Sequence, residues 1–286
     1  MLEVRGLGLA LPNRAARRPL RRPPLIEILR GIDLDLGRGE SLAVVGESGS
    51  GKTSLGRTLL RLLKPSAGRI VFEGRDITAL SEHDLRPLRA RLQMIFQDPL
   101  SALNPRRRVG DIIAQPLHVF GRVGERREGR RRADGLLERV GLPALLGDRF
   151  PHELSGGQRQ RVGIARAIAL DPALVVADEI VSGLDASSQA QILTLLRDLK
   201  SDLGISLIFI SHDLSVVRVL CDRVLVLAHG AMVETGSCED VFAAPREAYT
   251  RALLEAVPLP VVDPGWIERV HVDDVDAQRG ADAEKA

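Results

Sequence analysis

Aromatic residues are scarce in this chain: 3% of 286 residues, including one tryptophan and one tyrosine, and none before Phe72. The core must therefore be aliphatic, and nothing upstream of residue 72 can offer an aromatic ring to a ligand. Cysteine is scarcer still. Cys221 and Cys238 are too few for a disulfide scaffold or a four-thiolate cluster, and they fit a reducing compartment. Only four of the 40 basic residues are lysine (Lys52, Lys64, Lys200 and Lys285), a skew better explained by a GC-rich genome than by function. No long apolar run occurs. Stretches such as Ile205–Ile210 and Leu174–Ala177 fall far short of the roughly 20 residues that a membrane-spanning helix needs. The arginines at Arg14, Arg17, Arg18, Arg21 and Arg22 are broken by prolines, and neither an apolar stretch nor a small-residue cleavage site follows, so a secretory signal is not expected. A formal charge of +2 gives no electrostatic case for nucleic acid as the main partner.

What is present reads as an α/β protein. Hydrophobic residues at 44% and charged residues at 27% are near the globular average. Ile26–Leu36 reads as a strand, followed by the apolar run Leu42–Val45 and a glycine-rich stretch. From Lys52 a helical period sets in, with Leu55, Leu59, Leu60 and Leu63 on one face as far as Pro65. Strands are expected at Arg69–Phe72 and Arg91–Phe96, then a proline-broken loop at Asp98-Pro99 and Asn104-Pro105. Residues 106 to 158 are helical and arginine-rich. The clusters Arg106–Arg108 and Arg130–Arg132 read as solvated helix faces, with partner docking as the alternative. A helix after Gly157 runs to Leu170. Beyond it, strands at Ala173–Ala177, Ser206–Ile210 and Arg223–Ala228 alternate with helices at Ser187–Lys200 and from Leu214. Continuous apolar strands in strand–helix units imply a parallel sheet covered on both faces. The segment after Pro258 is polar and acidic and is expected to be poorly ordered.

Gly46-Glu47-Ser48-Gly49-Ser50-Gly51-Lys52-Thr53 fits the phosphate-binding pattern GxxxxGK[ST] between a buried strand and a helix. Glycines let the backbone wrap phosphate oxygens, so that successive N–H groups and a helix N-terminus face the negative charge. Lys52 can reach the β- and γ-phosphates, and the Thr53 hydroxyl can bind Mg²⁺. Leu174–Ala177 ends in Asp178 and Glu179, 126 residues after Lys52 in the case of Asp178. A strand ending in Asp-Glu says little alone. Behind a phosphate loop, Asp178 is placed to hold the Mg²⁺ shell and Glu179 to polarise a water in line with the γ-phosphate. Ser155, Gly156 and Gly157 open a second helix with an anion-binding start. One chain does not easily fold two such starts onto one phosphate, which invites a second subunit.

Leu154-Ser155-Gly156-Gly157-Gln158 is where the resemblance becomes specific: the chain resembles the nucleotide-binding subunits of ABC transporters, whose signature is LSGGQ. Kinases and GTPases lack it. The resemblance covers residues 25 to 258. It implies a RecA-like P-loop NTPase core with an antiparallel β portion and a helical signature subdomain at about 98–158. It also divides the chain into a cassette at 1–235 and an extension with a polar tail at 236–286. It makes Gln97 the Q-loop glutamine, contacting Mg²⁺ and the attacking water, and His212 the switch histidine at the γ-phosphate. Ser182-Gly183-Leu184-Asp185 becomes the D-loop, with Gly183 where alanine is usual. Lys52 and its loop, together with Ser155, Gly156, Gly157 and Gln158 of an opposite subunit, would bind ATP. Thr53, Gln97 and Asp178 would serve Mg²⁺.

Phe96–Pro105, the Asp178–Ser182 wording and Tyr249–Leu254 resemble the oligopeptide, dipeptide and nickel importer branch. That branch implies an identical or paralogous ATPase partner, two membrane permease subunits and, indirectly, an extracytoplasmic substrate-binding protein. It places the chain peripherally on the cytoplasmic face of the plasma membrane. An exporter ATPase would share every catalytic motif, and a soluble non-transport ABC ATPase is a further alternative, disfavoured by the single P-loop and the absence of a heptad run. Some members of the branch carry an iron–sulfur cluster near the C-terminus. Only Cys238 lies there, so none is expected.

Overall fold

The computed structural model describes residues 1–13 and 23–256. The arginine-rich stretch at 14–22 and the polar tail therefore lie outside the described residues. Two sheets organise the chain. The first has the order β2-β1-β4-β5, built from β1 (Leu2–Pro12), β2 (Leu25–Leu36), β4 (Ala67–Phe72) and the short β5 (Arg75–Asp76). Its pairs are antiparallel. The second has the order β10-β9-β3-β8-β7-β6. Its strands are β3 (Ser41–Val45), β6 (Leu92–Ile95), β7 (Leu174–Asp178), β8 (Ser206–Ile210), β9 (Arg223–Ala228) and β10 (Ala231–Ser237). All of its pairs are parallel except the β9–β10 pair.

Every residue of β3, β7 and β8 is buried. Burial on both faces is why these strands read as unbroken apolar runs. Alternate side chains feed two cores. Leu42, Val44, Val176, Ile208 and Ile210 join Leu55 and Leu59 of α1 (Lys52–Leu59) beneath the antiparallel sheet. Ala43, Val45, Val175, Ala177, Leu207 and Phe209 face the opposite way, towards the helices between β6 and β7. Those helices are α3 (Pro99–Ala102), α4 (Val109–Val119), α5 (Arg126–Arg139) and α6 (Gly156–Ile168). α2 (Glu82–Arg89) precedes β6, while α7 (Ala186–Leu203), α8 (Leu214–Leu220), α9 (Cys238–Ala243) and α10 (Ala248–Ala256) follow β7 in order.

Two local expectations need correction, and one strand is new. The helix from Lys52 stops at Leu59, well before Pro65, because Arg61 takes a left-handed conformation (φ 54°) and Leu62 N–H donates back to Arg57 O at 2.8 Å. That is a Schellman closure in which arginine stands where glycine is usual. The guanidinium holds the bend by donating to Ile77 O and Leu80 O at 2.9 and 3.1 Å. The proline-broken loop contains a one-turn helix, since Pro99 suits a first helical position and the Asp98 carboxylate accepts from Leu100 N at 2.9 Å. Strand β1 adds an element for which the sequence shows no period of two. Gly6 and Gly8 and three register shifts against β2 interrupt its alternation.

Candidate nucleotide-binding site

The residues picked out by motif converge at the carboxyl ends of β3, β6, β7 and β8, the edge where open α/β sheets bind ligands. β3 runs straight into the glycine loop. Gly46 has φ +145°, and a Cβ there would lie 2.1 Å from the Leu227 carbonyl of β9, so only glycine fits. Gly51 (φ +106°) stands at the N-cap of α1 and supplies no side-chain cap. The first N–H groups of α1 therefore have no side-chain acceptor, the condition in which a helix start takes an anion. Lys52 is buried and folded back over the loop, its Nζ donating to Gly46 O at 2.7 Å and Glu47 O at 2.8 Å. Burial lowers its pKa, against the attraction of Glu179 and Asp178.

Thr53 donates from Oγ1 to Asp178 Oδ1 at 2.9 Å, joining α1 to the end of β7. Asp178 is 1% exposed. Desolvation raises its pKa, while the Thr53 hydrogen bond works in the opposite direction. The chain turns sharply at the next residue. Glu179 sits at φ 48°, a region costly for a residue with a Cβ, and its N–H donates to Ile210 O of β8 at 2.9 Å. The turn leaves the carboxylate at the strand ends. There its Oε2 accepts from Gln97 Nε2 at 2.9 Å, and its Oε1 lies 3.6 Å from His212 Nδ1. Three neighbouring strands, β6, β7 and β8, thus each deliver one of Gln97, Glu179 and His212. This is a carboxylate flanked by a neutral donor and a titratable ring, next to a loop built for phosphates.

Ser155, Gly156, Gly157 and Gln158 are elsewhere. Ser155 caps α6 in a reciprocal box: its Oγ accepts from Gln158 N at 3.2 Å, and Gln158 Oε1 accepts from Ser155 N at 3.0 Å. Added Cβ atoms at Gly156 and Gly157 would meet Leu184 and Ser188 at 3.7 and 3.6 Å, so this helix start borders the Ser182–Asp185 loop. Among the described residues no hydrogen bond joins Ser155–Gln158 to Gly46–Thr53.

The sequence profile described as ABC transporter matches residues 29–182. A protein of Brucella ovis named for peptide import and ATP binding is 49% identical over 263 residues, covering 92% of this chain and 80% of that one. This chain belongs to the ABC transporter family. It is an ATP-binding cassette and an ATPase. The oligopeptide transport ATP-binding protein OppF of Escherichia coli is 44% identical over 264 residues, covering 92% of this chain and 79% of OppF. Among solved structures, the dimeric post-hydrolysis state of the cassette MJ0796 bound to ADP and Pi superposes with a TM-score of 0.73 at 26% identity, over 83% of this chain and 99% of that one. CbiO1 of Clostridium perfringens, part of a cbiONQ complex, gives 0.71 at 29% identity over 96% and 98%.

No aromatic residue precedes Phe72, so the stretch of β2 beside the phosphate loop offers a base only the side chains of Ile28, Leu29 and Arg30. Leu29 is fully buried under Gly51 and cannot face a base. Ile28 is partly buried, and its carbonyl would lie 3.3 Å from a Cβ at Gly51. Arg30 is exposed and lies 3.3 Å from Glu27.

Proposed function

We propose that this cassette couples ATP hydrolysis to the import of peptides or a related small solute through partner membrane subunits. One observation carries the hydrolytic part: Glu179, bridged to Gln97 and beside His212, stands at the same strand ends as the Lys52 loop. Peptide as cargo is supported by the relatives named for peptide import and oligopeptide transport.

In this reading Lys52 leaves the two carbonyls it now satisfies and meets the β- and γ-phosphates, a favourable exchange for a buried ammonium. Gln97 orients the attacking water and Glu179 takes its proton as its oxygen bonds to the γ-phosphorus, the bond from that phosphorus to the β–γ bridging oxygen breaks to release ADP and phosphate, and His212 donates to the γ-phosphate. Asp178 with Thr53 and Gln97 fits a single Mg²⁺: a buried carboxylate already hydrogen-bonded to a hydroxyl is the sparse donor set this ion accepts when phosphates complete its shell. When bound, Mg²⁺ would neutralise phosphate charge there. The second cassette, identical or paralogous, supplies Ser155–Gln158.

No helix among the described residues is long and apolar enough to cross a membrane. The chain acts peripherally, on the cytoplasmic face, beneath two permease subunits fed by an external binding protein. A groove of about 720 Å³ beside Gln97, lined in part by Leu62, Phe96, Val119 and Phe120, gives a membrane subunit access to the Q-loop. Residues 1–235 form the cassette with its helical subdomain at about 98–158, and 236–286 its extension. The test is reconstitution with the co-encoded membrane subunits and binding protein in vesicles. ATP hydrolysis stimulated by short peptides, with peptide accumulating on the cassette side, is expected. Flux away from the cassette side would establish an exporter instead.

A further inference from the structure

The last helix among the described residues, α10, reaches the phosphate loop through the chain's single tyrosine. Tyr249 Oη accepts a hydrogen bond from the backbone N–H of Glu47 at 3.2 Å, across 202 residues of sequence. This N–H belongs to the Gly46–Glu47 peptide group, whose carbonyl end accepts from Lys52 Nζ at 2.7 Å. One peptide plane is therefore gripped at both edges, by a lysine from inside the loop and by a tyrosine from outside.

The two grips differ in what happens when nucleotide arrives. Lys52 must let go of Gly46 O to reach phosphate. A peptide next to glycine then has little else to fix its rotation, because Gly46 tolerates conformations closed to other residues. Tyr249 is not asked to move. Its ring is partly buried against the main core. The start of α10 is moored by Glu234 of β10, whose Oε1 and Oε2 accept from Arg246 N at 2.9 Å and Glu247 N at 3.2 Å. Glu234 is itself almost wholly buried, and Thr250, next to Tyr249, is 1% exposed. The tyrosine hydroxyl is thus presented from a fixed base.

We propose that Tyr249 is a positioning residue for nucleotide binding: it holds the Gly46–Glu47 peptide in the orientation it has here when Lys52 turns to the phosphates, so that the loop keeps its shape around them, and it makes α10 part of the nucleotide site. This rests on the nucleotide reading above and adds to it a residue and an element that the phosphate-loop motif does not contain. Tyr249→Phe removes the hydroxyl and keeps the ring. Loss of one such hydrogen bond should weaken ATP and ADP binding about three- to tenfold. Turnover at saturating ATP should stay within about twofold, because the Tyr249 hydroxyl bonds to the loop backbone and not to Gln97, Glu179 or His212, and its loss removes only ground-state organisation.

The experiment is a double-mutant cycle on the full chain, with ATP and ADP titrated into wild type, Tyr249→Phe, Glu47→Pro and the double variant. Glu47→Pro deletes the donor N–H from the other side, so Tyr249→Phe should have no further effect in that background. Equal affinity of Tyr249→Phe and wild type would overturn the proposal even if Glu47→Pro misfolded. So would an identical loss in both backgrounds, since the hydroxyl would then act elsewhere. A wild-type chain that failed to bind either nucleotide would overturn the nucleotide reading, and this proposal with it.

Discussion

Two helices of this cassette begin at glycine-rich motifs, and they are finished in opposite ways. α1 starts at Gly51 with no side-chain cap and no acidic residue in its first turn. α6 starts at Ser155 with a complete capping box supplied by Ser155 and Gln158. The first end leaves its orphan N–H groups for a ligand, and its one cation, Lys52, is parked on loop carbonyls. The second end satisfies itself. Ser155 still has something to give, because its oxygen accepts from Gln158 N while its O–H has no acceptor among the described residues. A helix start with its own cap is stable without a partner and can still offer a hydroxyl and a dipole to one. The difference fits the function proposed above, in which α1 holds the tight-binding half of a phosphate site and the α6 of another subunit closes it.

The largest effect should come from the chemistry beside α1. Glu179→Gln keeps the size of the side chain and its contact with Gln97 while removing the base. ATP hydrolysis should fall by about 10²–10⁴-fold. Lys52, Thr53 and Asp178 are untouched, so ATP should still bind and hold two cassettes together. Light scattering with and without ATP, together with a phosphate-release assay, checks both halves. Near-normal hydrolysis without ATP-dependent dimers would remove Glu179 from this role.

The division of labour between the two helix starts can be broken directly. Lys52→Ala disables the α1 half, and Ser155→Arg blocks the α6 half. Each variant alone should be inactive. Mixed, they should regain part of the activity, because a mixed dimer has one site with both halves intact. No recovery on mixing, or full turnover by a monomer independent of concentration, would show that the two ends do not meet across subunits.

Much of this was legible from sequence, for reasons that also mark where legibility stopped. Ser206–Ile210 and Arg223–Ala228 are strands at the bounds read from their apolar runs, because a strand buried on both faces needs no alternation. β1 escaped, since its bulges and glycines break the period of two on which a half-exposed strand is recognised. α1 was overextended because its stop signal is an arginine at φ 54°, and nothing in the residue type announces that. At the site, the phosphate loop could be named because its chemistry is local and its spacing fixed. The Gln97–Glu179 bond joins residues 82 apart, and the left-handed turn that aims Glu179 depends on Ile210 O in the neighbouring strand. Such facts belong to the sheet order. The same holds for Tyr249, which the sequence offered only as part of a branch-like segment.

Smaller effects should appear in the free protein. Ser155→Ala removes the cap of α6 and should cost about 1 kcal/mol, whereas Ser155→Gly should cost only a few tenths. Asp178→Asn should do the reverse. Desolvation raises the Asp178 pKa above its unfolded value, so the folded state is favoured while the group is protonated and loses stability as pH rises through the carboxylate range. Asparagine keeps an acceptor for Thr53 and carries no charge. The melting temperature of Asp178→Asn should exceed that of wild type at pH 8, with the gap closing as pH falls through the carboxylate range. A lower melting temperature for the variant at pH 8 would mean that ionised Asp178 is better solvated than its burial indicates.

The smallest effect concerns the base, because neither helix start reads it. No aromatic ring precedes the phosphate loop, and Leu29 is locked into the core, leaving Ile28 and the exposed Arg30 on that stretch of β2. An aliphatic side chain covers part of a purine without sensing its edge. A guanidinium plane adds about 0.5–1 kcal/mol of cation–π attraction at an exposed site, for either purine. Affinity should then rest on phosphates and Mg²⁺, which ATP and GTP share. Their dissociation constants should differ by less than about tenfold, or 1.4 kcal/mol. Ile28→Tyr should tighten both together if that position faces the base, while Leu29→Tyr should overpack the core and lower the melting temperature. A competition titration giving a hundredfold preference for ATP would require a group that hydrogen-bonds to the adenine edge, and would move base recognition away from β2.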